Sequence, residues 1–366
     1  MIDFRYHLVS IVAVFLALAI GIVLGSTELQ GPTYNFLNHT TAKLQNEYDL
    51  VTSERNTAQQ QATLGEAYAQ AVEPAVLRDL LTGQRLLIVT EPGAQSSVLS
   101  GISTAAIDAG ATVTGQINLQ PKFFDTSDTT QDSLNQTTLD VAQPAGIALS
   151  ASENYQQQAA QVIASEILVK SSPGSAGTGT ASTGTAGTGT AGTGTASTGP
   201  GSTDTGTGAQ TMLEAYASSG FLDTTGQPAT QATLVVVVTP QNAPADGSAD
   251  QLDQVLVPLV QELAAKSSAV VVAGSSAGSG AGSPIAVLRS NNVANQVSTV
   301  DNADFVTGQS VVVQALAAML DGGKAASYGF AANGASAVAP SPVPTSTASA
   351  SPTGTSTSST KKKAEK

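Results

Sequence analysis

From Leu8 to Leu24 the chain presents 17 residues of which only Ser10 is clearly polar. As a helix rising about 1.5 Å per residue the run covers roughly 26 Å, just short of a bilayer's hydrocarbon core, so flanking residues must complete the span. A secretory signal peptide is the competing explanation, but its apolar region is only about 7 to 15 residues long and ends in a small-residue cleavage site. Gly25-Ser26-Thr27 offers small residues without an Ala-x-Ala pattern. The segment is therefore expected to be retained as a single-pass anchor over residues 1–27. Arg5 precedes it and Glu28 is the first charge after it, a bias that places the N-terminus in the cytoplasm and the bulk of the chain on the outer side. Gly21 and Gly25 have the small-xxx-small spacing that lets two membrane helices approach closely, although glycine is common in membrane helices generally.

Beyond the anchor, residues 28–75 predict a helical stalk. Leu37, Leu44, Val51 and Ala58 recur every seven residues, with Thr41, Tyr48, Arg55 and Ala62 four residues after each. That alternation is the seam of a coiled coil, pairing with a second copy of the chain or with another membrane protein's helix. Thr41 and Arg55 are polar and the later positions shrink to Ala, so one amphipathic helix lying on its own domain is the alternative. Gly31-Pro32 is expected to separate anchor from stalk, and Pro74 and Gly83 to punctuate the route onward.

Arg85 to Thr90 is a compact apolar run bounded by Gly83 and Pro92-Gly93, as a buried strand should be. Val98, Leu99, Ile102, Ala105, Ala106 and Ile107 follow helical spacing to Gly110, and Thr112 to Leu119 forms a second strand, completing a βαβ unit. Thr233–Thr239 and Ser268–Ala273 are near-continuous Val runs separated by a helical pattern through Leu252, Leu256, Leu259, Val260 and Leu263. Such runs imply a parallel sheet covered on both faces. A short strand, Gln296 to Val300, and a helix, Val311 to Leu320, complete a doubly wound, mostly parallel α/β domain over residues 84–330. Residues 171–208 repeat Thr-Gly and Ala-Gly-Thr-Gly, and residues 331–366 are rich in Ser, Thr and Pro with a Lys-rich end. Both are expected to be disordered, because neither carries apolar side chains large enough to offset the entropy of ordering.

Chemistry is scarce. With no cysteine the chain has no disulfide framework, cysteine-ligated zinc site, iron–sulfur cluster or thiol nucleophile. Its two histidines, His7 and His39, both precede the α/β region, so no Ser-His-Asp triad or histidine metal centre can be assembled there. Lys361, Lys362, Lys363 and Lys366 supply four of 14 positive residues and Glu365 only one of 27 negative ones, so residues 1–360 carry a formal charge of −16. A body this acidic repels phosphate backbones, which excludes nucleic acid as a partner. The first βα turn, Thr90-Glu91-Pro92-Gly93-Ala94-Gln95, lacks GxGxxG and puts an acid where pyrophosphate would sit. Gly274 to Pro284 is Gly-rich but lacks the P-loop lysine, and is expected to be a flexible loop. Asp301, Asn302 and Asp304 have the look of a cation site, yet helix capping and first-turn dipole compensation explain them without a ligand. Asp125, Asp128 and Asp132 lack the Gly and distal Glu of an EF-hand and are expected in a solvated connection. No catalytic residue, cofactor site or metal set emerges, and the expectation is a non-enzymatic protein.

The opening Met1-Ile2-Asp3-Phe4-Arg5-Tyr6-His7-Leu8-Val9-Ser10, continuing through Ala17 to Ser26, resembles the start of the actinobacterial MctB-like copper transporter family. The resemblance extends less sharply through the stalk, Arg85–Thr90 and Val300-Asp301-Asn302-Ala303-Asp304 with the helix after it. It implies a cell-envelope protein linked to copper efflux or homeostasis and is the only basis for copper here, whereas the doubly wound, Rossmann-like reading of residues 84–330 rests on the strand pattern. Some similar coiled-coil proteins are linked instead to cell separation, through a membrane partner that controls cell-wall hydrolysis. Copper(I) favours thiolate and thioether ligands, whereas this chain has no Cys and only Met1, Met212 and Met319, widely scattered. The partners expected are the lipid bilayer, a second copy or another coiled-coil membrane protein, and the cell wall through the tail.

Overall fold

The computed structural model describes residues 4–150, 153–170, 205–228, 230–242, 249–330 and 334–341, with side chains further undescribed at 4, 5, 26–38, 205–207 and 249–253. The expected insert up to residue 204 and the tail from residue 342 lie outside these residues. The chain divides into two compact units, Met1–Tyr68 and Ala69–Lys366.

The first unit is helical. Helix α1 runs from Phe4 to Leu77, its last turns belonging to the second unit. Gly31-Pro32 does not separate an anchor from a stalk: the helix passes through both residues, and through Pro74. A proline interrupts a helix by removing one N–H and crowding the preceding turn, a local cost that long helical stretches on either side outweigh. Gly83, with φ +75, stands in the turn between α1 and the first strand.

The second unit is a seven-stranded sheet built from β1 (Arg85–Thr90), β2 (Thr112–Leu119), β3 (Leu222–Gly226), β4 (Leu234–Val238), β5 (Ala269–Ala273), β6 (Ser298–Val300) and β7 (Ser327–Tyr328). Their order is β3-β2-β1-β4-β5-β6-β7, parallel throughout except for the antiparallel β2–β3 edge. The helices are α2 (Ser96–Asp108), α3 (Asp128–Ala145), α4 (Tyr155–Ile167), α5 (Thr205–Ser218), α6 (Ala249–Lys266), α7 (Pro284–Ser290) and α8 (Val306–Leu320). One core lies on the face where Leu87, Val89, Val235, Val237, Val270 and Val272 meet Ile163, Tyr216 and Leu259 from α4, α5 and α6. The alternate residues Leu86, Ile88, Val236 and Val271 build the other core with Ile102 of α2, Leu316 of α8 and Leu77 at the end of α1. Strands buried on both faces explain the unbroken Val runs: each fully buried aliphatic contributes about 1.5–3 kcal/mol, and neither face can be polar.

Three expectations need correction here. Asp125, Asp128 and Asp132 are solvent-exposed as expected, but Asp128 and Asp132 lie in the first turns of α3, an 18-residue helix, rather than in a connection. Asp125 accepts bonds from Ser127 N at 2.9 Å and Thr130 Oγ1 at 2.8 Å, and these bonds, the backbone one foremost, hold its carboxyl below the ordinary range. Helix α5 begins at Thr205, inside the expected 171–208 insert. Beyond residue 331, Ser336 N and Ala337 N both donate to Ser327 O and Gly329 N donates to Ala337 O, so this first part of the tail is tied to β7.

Candidate functional site

Two places have the makings of a site: the surface of α1 within the first unit, and the carboxyl ends of the parallel strands in the second.

On α1, Tyr6–Gly25 is 20 residues long and apolar enough to cross a membrane, and none of it is buried against protein. A methyl group added at Gly21 or Gly25 would meet no atom within 4 Å, so this face is open. Further along, Leu44, Tyr48 and Val51 are 60%, 71% and 62% exposed. Thr41, Arg55, Ala58 and Ala62 are exposed beside them, while the Leu37 side chain lies outside the described ones. Leu50, Leu64 and Tyr68 are also exposed, and the seven-residue pattern left them out because they fall off its line. An exposed Leu or Tyr alone is ordinary, but a repeated row of them along one helix leaves an apolar stripe uncovered.

At the carboxyl end of the sheet the strand order reverses between β1 and β4, the position where open α/β sheets hold ligands. Here the loops are tied to one another instead. Glu91-Pro92-Gly93-Ala94 forms a tight turn closed by Ala94 N donating to Glu91 O, with Gly93 at φ +88. Gln241 N donates to Gly93 O, and Ser275 Oγ donates to Gln241 O at 2.6 Å. Ser276 donates from N and Oγ to the two carboxyl oxygens of Asp304, at 3.0 and 2.7 Å. The Gly/Ser-rich loop after β5 is thus stitched into its neighbours, with Ser275, Ser279 and Ser283 buried and Ser283 capping α7.

Asp301, Asn302 and Asp304 do not converge on a cation. Asp301 is fully buried and pairs with Arg289 of α7 at 2.8 Å, while its other oxygen accepts from Phe330 N. Arg289 also donates from Nε to Thr299 Oγ1 and from Nη2 to Tyr328 O, binding β6 and β7 together. Nor do these residues cap α8: Phe305 is its N-cap and supplies no side-chain bond. Gly308 explains how tightly Asn302 sits, since a Cβ there would fall 1.9 Å from Asn302 O.

What remains at the strand ends is a set of buried oxygens without partners: Glu91 Oε1, Thr239 Oγ1 and Asn302 Oδ1. Glu91 and Thr239 directly follow the paired residues Thr90 and Val238 on adjacent strands. Burial in apolar surroundings pushes the Glu91 carboxyl up to about 8, so at neutral pH it is a neutral acid that holds its proton. A neutral acid attracts neither a cation nor a phosphate. The sequence placed an acid in this turn but carried no sign of its burial.

Among the described residues no group of three or more His, Asp or Glu is placed to hold a metal. Met212 belongs to the core on the α4–α6 face, whereas Met319 packs against the opposite core, so the sheet separates the two thioethers. The soft donor set that copper(I) prefers is therefore not gathered there.

The profile of the family described as "Copper transport outer membrane protein, MctB" matches residues 1–340. The chain is 26% identical over 334 residues to the proteins named Copper transporter MctB of Mycobacterium tuberculosis and Mycobacterium bovis, covering 90% of this chain and 96% of theirs. To the protein of the same name from Mycobacterium leprae it is 25% identical over 353 residues, 93% of this chain and all of that one.

Proposed function

The chain belongs to the MctB copper transport outer membrane protein family, and from that premise we propose that it is a single-pass, envelope-facing tether with a role in copper efflux or homeostasis, without catalysis of its own. The observation that carries this is the exposed surface of α1, an apolar span followed by a row of outward side chains. Lipid takes up the span, and another helix takes up the row as a coiled coil. The charge bias of Arg5 before the span and Glu28 after it supports the outward orientation of the bulk. The reversal of strand order at β1 and β4 supports a Rossmann-like ancestry for the sheet domain, with Glu91 in the turn where a nucleotide's phosphates would lie. Among the described residues the single apolar span encloses no pore, and the separated Met212 and Met319 offer copper(I) no shared site, so copper handling is assigned to an assembly that the helix recruits. Deletion of the gene is expected to raise cellular copper, and restoring it with Leu44→Pro, which breaks the pairing helix, is expected to leave copper high. Normal copper in the deletion strain overturns the copper role.

A second reading rests on the same exposed row: a coiled-coil scaffold for cell separation, acting through a membrane partner on cell-wall hydrolysis. Because the chain has no cysteine, a single Ser53→Cys variant gives crosslinking from one known point in living cells. Capture of a wall-hydrolysis regulator together with chained, unseparated cells on deletion selects this reading; capture of a copper-handling membrane protein selects the first.

A further inference from the structure

Between α3 and the start of α4 lies an open groove of about 480 Å³, within the range of small-ligand sites. Gln131, Asn135 and Leu139 stand a helical turn apart on α3, and Leu149, Glu153, Tyr155 and Gln158 form the opposite wall. Its hydrogen-bond balance distinguishes it from an ordinary surface depression. Both glutamines donate inward to backbone carbonyls: Gln131 Nε2 to Thr126 O at 3.1 Å, and Gln158 Nε2 to Ser150 O at 2.8 Å and Glu153 O at 3.3 Å. Asn154 Nδ2, beside them, donates to Gln254 O at 3.0 Å. Each amide oxygen keeps acceptor capacity, and Glu153 Oε2 is buried with no partner at all. A buried acceptor without a donor is costly and calls for something to satisfy it.

The groove therefore offers acceptors in excess, among them a carboxylate oxygen that no donor meets. A phosphate or carboxylate ligand would bring more acceptors and more negative charge to an acidic body. A wholly apolar ligand would leave the acceptors unmet. A polyhydroxyl ligand meets both needs, since its hydroxyls donate while the C–H faces of its rings lie against Leu139, Leu149 and the Tyr155 ring. Asn135 adds a donor pair and an acceptor on one side chain, the pattern that grips two neighbouring hydroxyls. We propose that this groove binds an uncharged saccharide, whose hydroxyls donate to Gln131, Glu153 and Gln158 and whose ring face rests on Leu139, Leu149 and Tyr155.

The test uses the full chain in detergent, with maltotriose, cellotriose and the N-acetylglucosamine trisaccharide as probes and spermidine as a charged control, followed by calorimetry and ligand-observed NMR. At least one trisaccharide is expected to bind in the millimolar range or tighter. Asn135→Ala and Glu153→Ala are each expected to weaken it about tenfold, the effect of one good hydrogen bond, with the thermal melt unchanged. Leu139→Glu, at a partly exposed helix position, tests the apolar wall without disturbing the core. The proposal is overturned if no trisaccharide binds, if binding survives all three substitutions, or if spermidine binds and the sugars do not.

Discussion

In the first unit the large apolar side chains face outward, whereas in the second they face inward, and the contrast divides the labour of the molecule. Leu8, Phe15, Leu24, Leu44 and Val51 are each more than half exposed, while Leu86, Ile88, Val236 and Val271 are at 0%. Hydrophobic surface stabilises only when removed from water. The sheet domain uses its large apolar residues in its own cores, whereas those described on α1 up to Tyr68 stay open.

This contrast yields predictions of decreasing size. The largest concerns the inward region. Arg289→Ala leaves Asp301 charged, buried and unpaired, and is expected to cost about 3–5 kcal/mol in urea unfolding of the domain; a loss below about 1 kcal/mol would mean that the pair is hydrated and the inward region less closed than described. The next concerns Glu91. Below about pH 4.5 its carboxyl is protonated in both folded and unfolded chains; above that the unfolded chain releases the proton while the folded chain keeps it until about pH 8. Stability should therefore fall as pH rises through this window, by a few kcal/mol at about 1.4 kcal/mol per unit, and level off above it. Glu91→Gln should flatten the profile, and a wild-type profile already flat from pH 5 to 9 would show that water reaches the carboxyl. The smallest effect belongs to the outward region. Leu44→Ser and Val51→Ser should each change domain unfolding by no more than about 0.5 kcal/mol, as surface substitutions do, yet together abolish crosslinking from Ser53→Cys. If they lower the domain's stability instead, the row is a core feature and the contrast fails.

The inward region was legible where one physical cause dominated. The Val runs of β4 and β5 could only be doubly buried strands, and the bounded apolar run of β1 was as clear. Elements held by tertiary context left fainter marks. Helix α3 buries only Leu134, Thr137, Thr138 and Ala142, and two of these are threonines, so its periodicity is hidden in polar sequence. Strand β3 exposes every residue after Leu222, and β7 has two residues and relies on Arg289 for its place. On α1 the sequence made the apolar span legible by its length and composition, and the helix after it carries the seven-residue repeat with Leu44, Tyr48 and Val51 exposed. The Arg289–Asp301 pair and the buried Glu91 were not legible, since charge in a loop carries no record of whether it meets water or another side chain.

That same Arg289 has a consequence for solubility. β7 covers β6 and is itself bridged at Tyr328 by Ala337, and the guanidinium holds β6, the Asp301 loop and the Tyr328 carbonyl with one side chain. Were that hold lost, β7 would peel away and bare the backbone of β6 as a free sheet edge, a template on which other chains can stack. A single arginine thus guards this rim of the sheet against self-assembly, and loss of the guard would be seen as aggregation before it was seen as loss of fold.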